Sequence, residues 1–230
     1  AYTVFFGGAG VSTESGIPDF RSDNGIFKIL EKYGRSPEIL LSRSFFDQYP
    51  EQFFQFYRET LLIPDVEPNP AHCGLAKLEA KGKLRSVITQ NIDGLHQKAG
   101  SKHVLELHGS IHRNYCMKCG KRYGIEIMEQ TEGVPRCECG GIIRPDVVLY
   151  GETLPESVFE ESVEEVKKAE LFIIGGSSLA VYPAAGLLHD FSGQHTQPAH
   201  LTPPPYDSNV EPLPPDPPHP LTPVAAGAEG

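Results

Sequence analysis

The sequence lacks several things, and each absence removes a class of function. It has no basic excess: 20 Lys and Arg stand against 30 Asp and Glu, a formal net charge of −10. Binding to nucleic acid without regard to sequence needs clustered cations that displace phosphate counterions, so no nucleic-acid partner is expected. No apolar run approaches the length that spans a membrane, and no signal peptide opens the chain, so no membrane partner is expected either. Ala1 already stands at the edge of the first strand pattern, as in a fragment that has lost its natural N-terminus. Cysteine is scarce, with five in 230 residues. Four of them form two close pairs, which suit metal ligation in a reducing compartment better than disulfides; the expected location is cytoplasmic. With 39% hydrophobic residues the chain can bury the core of one sizeable domain or two small ones.

What is present begins with the apolar run Tyr2-Thr3-Val4-Phe5-Phe6, read as a buried strand, which leads into Gly7-Gly8-Ala9-Gly10. A strand entering a glycine-rich turn lets backbone N–H groups approach a pyrophosphate, most of all where a helix follows. Gly8-x-Gly10 is weak by itself, because Thr13 stands where a dinucleotide fingerprint has its third glycine. A turn without a ligand explains those residues equally well.

Further along, a short helix is expected near Phe27 to Tyr33. A longer one is expected from Phe45 to Leu62, where Phe45, Phe46, Tyr49, Phe53, Phe56 and Tyr57 return at helical spacing and read first as core. Asn69-Pro70 opens a helix to about Lys81 that contains Cys73, read as a small buried residue. Leu84 to Thr89 is a strand running into Gln90-Asn91-Ile92-Asp93, a polar cluster at the kind of strand end where α/β sheets bind ligands. Val104 to Leu107 delivers His108 and Gly109; His96, His103 and His112 lack such a context and read as structural or surface residues. Cys116, Cys119, Cys137 and Cys139 look like one closed four-thiolate zinc site, which stabilises structure and leaves no open position for water. Ser157 to Ala169 is an amphipathic helix, and Leu171 to Ile174 a buried parallel strand opening onto Gly175-Gly176-Ser177-Ser178-Leu179.

Taken whole, Gly8-Ala9-Gly10-Val11-Ser12-Thr13-Glu14-Ser15-Gly16-Ile17-Pro18-Asp19-Phe20-Arg21 closely resembles the first signature of the sirtuins, the NAD-dependent protein deacylases, here of bacterial type. Thr89-Gln90-Asn91-Ile92-Asp93, Leu107-His108-Gly109, the paired cysteines and Gly176-Ser177-Ser178-Leu179 resemble later family motifs in the same order. Three departures stand out: Gly7 where the family usually has Thr, Cys-x-Cys in the second knuckle, and Ser177 for Thr. The resemblance covers residues 2–188. It implies an α/β, Rossmann-type parallel sheet (1–112 and 141–188) with an inserted small zinc-binding module at 113–140. It implies NAD as co-substrate, one structural zinc, and an acyl-lysine protein or peptide as partner. His108 is then the general base, a task that imidazole suits because its unperturbed pKa lies near neutrality. Asn91 joins it in the catalytic set. Gly8, Ala9, Gly10, Thr13, Asp19, Phe20, Arg21, Gln90, Asn91, Ile92, Asp93, Gly176, Ser177 and Ser178 are the implied cofactor contacts. Val147, Val148, Tyr150, Gly151 and Glu152 are the implied substrate contacts, with the backbone at Val147 and Val148 pairing with an extended peptide. Phe54 and Tyr57 stand where family members that prefer acidic acyl groups carry a Tyr-x-x-Arg pair, so a neutral acyl group is expected.

After Leu188 the resemblance ends. Residues 189–230 hold eleven of the 21 prolines and keep no apolar period, so they read as a disordered proline-rich tail. The C-terminal part of the sheet is then missing, the strand at Leu171 to Ile174 has a bare edge, and a weak or inactive enzyme is expected. The alternatives are a non-catalytic NAD- or ADP-ribose-binding protein inactivated by truncation, and a nicotinamide-dependent dehydrogenase, which has no need of Leu-His-Gly beside a zinc knuckle.

Overall fold

The computed structural model of the chain describes residues 1–19, 23–177, 184–192 and 195–199. In order, the elements are β1 (Thr3–Gly7), α1 (Asp23–Tyr33), α2 (Pro37–Leu40), α3 (Arg43–Gln48), α4 (Pro50–Thr60), α5 (Pro70–Ala80), β2 (Ser86–Thr89) and α6 (Leu95–Lys98). Then follow β3 (Val104–Glu106), β4 (Gly109–Cys116), β5 (Arg122–Tyr123), α7 (Glu126–Gln130), β6 (Ile143–Val147), α8 (Glu156–Lys168), β7 (Leu171–Gly175) and β8 (His195–Ala199). Single 3₁₀ turns occupy Ala9–Val11 and Thr13–Ser15, and a longer 3₁₀ segment spans Ala184–Asp190.

Among the described residues, five strands form a parallel sheet in the order β3-β2-β1-β7-β8. β1, β2 and β7 read as largely apolar runs because both faces are covered. On one face Val4, Phe6, Ile88, Leu105, Phe172 and Ile174 pack with Val166 of α8. On the other, Phe5 and Val87 pack with Leu75 of α5. A three-stranded antiparallel sheet, β5-β4-β6, carries the paired cysteines.

The expected single helix from Phe45 to Leu62 is two helices. Pro50 disfavours helical backbone at the residue before it, and Tyr49 leaves the helical region (φ −134°, ψ 58°), so α3 ends there and Pro50 opens α4 at its first turn. The aromatic stripe survives the break as core: Phe46 and Phe53 meet edge to face at 5.0 Å, as do Phe53 and Phe54 at 5.4 Å. This cluster also contains Cys116, Met128, Cys137 and Ile143, so the cysteine-bearing segment shares its core with α3 and α4.

The expected bare edge on β7 is not there. His195–Ala199 pairs in parallel with Leu171–Gly175, from Leu171 opposite His195 to Gly175 opposite Ala199. The preceding 3₁₀ segment buries Leu187 against the sheet, and Phe191 lies 5.5 Å from Phe172. The strand has no apolar period and contains a proline, which is why the sequence reads as tail. An edge strand tolerates that proline because only one of its sides must supply ladder hydrogen bonds. Residues beyond Ala199 lie outside the described residues. Among the described residues, no helix is long and apolar enough to cross a membrane.

Candidate active site

Four strands of the parallel sheet deliver their carboxyl ends side by side. Gly7 of β1 stands opposite Thr89 of β2 and Gly175 of β7, and Thr89 stands opposite Glu106 of β3. The turns after β1 and β7 press together: the Gly8 N–H donates to the Gly175 carbonyl (3.1 Å) and the Gly10 N–H to the Gly176 carbonyl (2.8 Å). A Cβ on Gly8 would lie 2.8 Å from the Gly176 oxygen, and one on Gly10 2.8 Å from the Gly176 Cα. Gly176 itself has φ +58°, and a Cβ there would lie 2.2 Å from the Val11 nitrogen. Contact between the two turns is therefore enough to demand glycine at these positions.

A buried polar chain holds the loop after β2. The Asn91 side-chain amide donates to the Gly8 carbonyl (3.0 Å) and to Ser12 Oγ (3.1 Å), and Ser12 Oγ donates to Asp93 Oδ2 (2.7 Å). The Asn69 N–H donates to His72 Nδ1 (3.2 Å), which leaves the ring proton on Nε2, 3.4 Å from Ser12 Oγ. Burial lowers the pKa of His72, so this ring is neutral. Asn91 and Asp93 are thus fixed from behind by Ser12 and His72, both essentially inaccessible to solvent.

His108 follows β3 and is half-buried. Its Nδ1 lies 2.8 Å from the Gln90 carbonyl oxygen. A carbonyl only accepts, so Nδ1 carries the proton and Nε2 is the basic nitrogen of the neutral ring. His108 lines a cavity of about 800 Å³ together with Ala9, Asp19, Gln90, Asn91, Ile92 and Asp93. Val147, Val148, Tyr150, Gly151 and Glu152 line the same cavity, as do Tyr57, Leu61 and Leu62. An imidazole beside fixed amide and carboxylate groups, in a cleft that is also lined by apolar side chains, suits proton abstraction from a bound substrate hydroxyl.

The profile described as the Sir2 family matches residues 8–183. The chain belongs to the Sir2 family. Its curated relatives include an NAD-dependent protein deacetylase of Clostridium acetobutylicum, 57% identical over 83% of this chain and 78% of that protein. Another, of Clostridium tetani, is 51% identical over 90% of this chain and 85% of its own length. A Sir2 structure in complex with the inhibitor EX-527, 2′-O-acetyl-ADP-ribose and a deacetylated p53 peptide aligns with TM-score 0.79 at 41% identity, over 90% of this chain and 85% of that one. A structure described as the structural basis of sirtuin substrate affinity aligns with TM-score 0.81 at 43% identity, over 90% of this chain and 86% of that one.

The Sir2 motifs do not all sit in the cavity wall. Gly8, Gly10, Gly176 and Ser177 form the paired turns beside it, with Ser177 Oγ 3.5 Å from Gln90 Oε1. Thr13 is exposed, and its hydroxyl donates to the Gly10 carbonyl (3.0 Å), closing its own turn. Phe20, Arg21 and Ser178 lie outside the described residues. In the expected peptide-pairing segment, some backbone groups are already engaged. The Val148 N–H donates to the His108 carbonyl (2.9 Å), and the Val147 carbonyl accepts from Arg144 Nη2 (2.8 Å). Tyr150 pairs on both sides with residues 41–43. Strand β6 ends at Val147, so the implied substrate contacts from Val148 to Glu152 lie beyond it. Glu152 faces Arg144 through two bonds (2.7 and 3.0 Å) and Arg43 through a third (3.1 Å), and accepts the Leu149 N–H (2.9 Å). Burial would raise its pKa, but Arg144, the Leu149 N–H and Arg43 outweigh this and hold it at about 2. The carboxylate of Glu152 thus braces the loop.

Sequence reasoning missed Ser12, His72 and Asn69, which carry no catalytic signature, and set aside His112. His112 lines the cavity, and its Nε2 lies 3.0 Å from the Asp93 carbonyl. Cys73 stands apart from the other cysteines and is half-buried, not buried as expected.

The four remaining thiols converge: their sulfurs all lie within 4.8 Å of one another, with Cys116–Cys139 at 3.4 Å and Cys119–Cys137 at 3.6 Å. Tetrahedral zinc with Zn–S bonds of about 2.3 Å requires sulfur separations of about 3.8 Å, so the donor set and its spacing fit that ion. The Tyr123 hydroxyl, 3.0 Å from Cys137 Sγ, is the largest of the influences that lower the pKa of this thiol to about 6. The shortened Cys-x-Cys knuckle therefore does not spoil the cluster.

Proposed function

We propose that this chain removes acyl groups from protein lysines with NAD as co-substrate, giving free lysine, nicotinamide and O-acyl-ADP-ribose. The observation that carries the reading is His108, its Nδ1 held by the Gln90 carbonyl, in one cavity with Asn91, Asp93 and the Val147–Val148 segment. Nicotinamide leaves, the acyl oxygen takes its place on the ribose carbon, and His108 accepts the proton of a ribose hydroxyl whose oxygen attacks the acyl carbon; the lysine then leaves as the free amine, and one water from solvent supplies the oxygen that completes O-acyl-ADP-ribose. Asn91 and Asp93 hold the nicotinamide end and Gln90 meets the ribose. Gly8, Ala9, Gly10, Ser177 and Ser178 surround the phosphates, Phe20 shields the reactive carbon, and Arg21 orders its loop. Since an acyl group ends on ADP-ribose, the reaction is a transfer. The free thiols suit the cytoplasm, and the bacterial type is read from the motifs of residues 2–188. Residues 1–112 and 141–188 are the NAD-binding part, 113–140 the zinc-bearing part, and 189–230 the proline-rich tail, whose His195–Ala199 pairs with β7. The non-catalytic alternative rested on a truncated sheet, and the pairing of β8 with β7 speaks against it.

The test is nicotinamide release from NAD with an acetyl-lysine peptide, for the native chain and for His108→Ala. Loss of a positioned general base lowers turnover by about 10²–10⁴-fold. NAD binding should persist in the variant, because the phosphate contacts lie elsewhere. Equal turnover by both proteins would remove His108 from this role.

A further inference from the structure

Two segments of the cavity wall are laced together at one seam. Pro37 and Leu41 line the cavity from the segment around α2, and Val147 to Glu152 line it from the loop after β6. Tyr150 joins them: its N–H donates to the Leu41 carbonyl (3.0 Å), and its carbonyl accepts the Arg43 N–H (2.9 Å). Arg43 adds a side-chain tie. Its Nη1 donates to Glu152 Oε1 (3.1 Å), while its Nε is held by both oxygens of Asp47 one helical turn on (3.0 and 2.9 Å). Both ends of the tie are anchored. Ser42 caps α3 by accepting the Phe45 N–H (3.1 Å), and Phe45 and Phe46 are buried. Glu152 is held by buried Arg144 (2.7 and 3.0 Å) and by the Leu149 N–H (2.9 Å). Glu152 thus has partners without Arg43, and what Arg43 adds is the link between segments. Upstream of the seam, α2 and α1 lead back to Ile17, Pro18 and the implied cofactor contact Asp19, which line the same cavity.

We propose that Arg43 is a positioning residue that couples the peptide segment at Val147–Glu152 to the segment leading back to Asp19, so that an acyl-lysine peptide and the ADP-ribose part of the co-substrate each tighten the binding of the other. This rests on the lysine-deacylase reading above. A ligand that orders one side of a laced seam takes up part of the freedom of the other side, and the second ligand then has less to order. Arg43 is half-exposed, so its share of the coupling is modest and sensitive to salt. The two backbone hydrogen bonds of Tyr150 carry the rest.

The test measures the affinity of an acetyl-lysine peptide with and without saturating ADP-ribose, and of ADP-ribose with and without the peptide. ADP-ribose carries no nicotinamide to lose, so nothing reacts. In the native chain each ligand should tighten the other by at least about 5-fold, equally from both sides. Arg43→Gln should lower that factor about 2–5-fold, the range of a half-exposed ion pair. Its melting midpoint should stay close to the native one, because Glu152 keeps its buried partner. A merely structural role would lower the midpoint or the two separate affinities and leave the factor alone. Salt gives a second measurement that needs no variant: going from about 0.05 M to about 0.5 M should bring the native factor down towards that of Arg43→Gln, since the pair is screened. If Arg43→Gln fails to fold, the salt series decides. A native factor of one, a factor unchanged in Arg43→Gln, or a native factor indifferent to salt overturns the role of Arg43 and leaves the deacylase reading intact. Absence of nicotinamide release from NAD with the acetyl-lysine peptide overturns both.

Discussion

At the scale of single residues, the cavity depends on charges and rings held in unusual states. Arg144 is 5% exposed at its side chain, and Glu152 is its partner through two hydrogen bonds. Removing one member of a buried pair leaves the other uncompensated, so Glu152→Gln should destabilise the protein by about 3 kcal/mol, read from the urea midpoint. His96 gives the pH dependence. It is buried, both ring nitrogens lack partners, and burial and then the nearby His72 push its pKa down to about 3. The unfolded chain therefore binds a proton that the folded chain refuses between pH 6.5 and about 3. Stability is whole above pH 6.5 and falls as pH drops through that window, by about 1.4 kcal/mol per unit for this residue. His72 has the same sign, whereas Glu152 begins to contribute losses only below about pH 4.5. Thermal melts between pH 7 and pH 5 should show a slope that His96→Leu makes shallower; an unchanged slope would mean that His96 is protonated in the fold.

At the scale of elements, the cysteine cluster and the aromatic helices stand or fall together. Cys116 and Cys137 belong to the same buried cluster as Phe46, Phe53 and Tyr57, and Arg58 of α4 donates to carbonyls at Met128 and Gly133. A closed thiolate site contributes folding free energy directly. Changing Cys116 and Cys119 together to Ser should abolish zinc in elemental analysis of the purified protein and also lower the near-ultraviolet signal of the aromatic cluster. Cys73→Ser should change neither. Retention of one zinc per chain in the double variant would exclude the cluster as the metal site.

At the scale of the whole molecule, β8 extends the sheet beside β7. Cutting the chain after Ser192 removes the pairing of Leu171–Gly175 with His195–Ala199, while Leu187 and Phe191 are kept. An unpaired parallel strand with apolar faces exposes backbone donors and acceptors and favours association. The shortened chain should melt several degrees lower and aggregate in light scattering. A cut after Ala199 should spare most of that stability. Equal melting of the two shortened chains would show that β8 adds nothing to the sheet.

The sequence by itself determined the parts whose chemistry is local. A β1 strand running into Gly8-Ala9-Gly10, a strand delivering His108 and two cysteine pairs are written in short strings, because a turn, a single base and a thiolate knuckle each need only neighbouring residues. The parallel sheet was legible because strands buried on both faces are continuous apolar runs. Tertiary structure decided what depends on distant partners. It drew Ser12, Asn69 and His72 behind Asn91 and Asp93, since a buried hydrogen bond is satisfied by whatever the fold brings within reach. It turned Glu152 towards Arg144 and Arg43. It also made His195–Ala199 a strand: an edge strand takes its hydrogen bonds from the neighbouring backbone, so its own residues need carry no pattern.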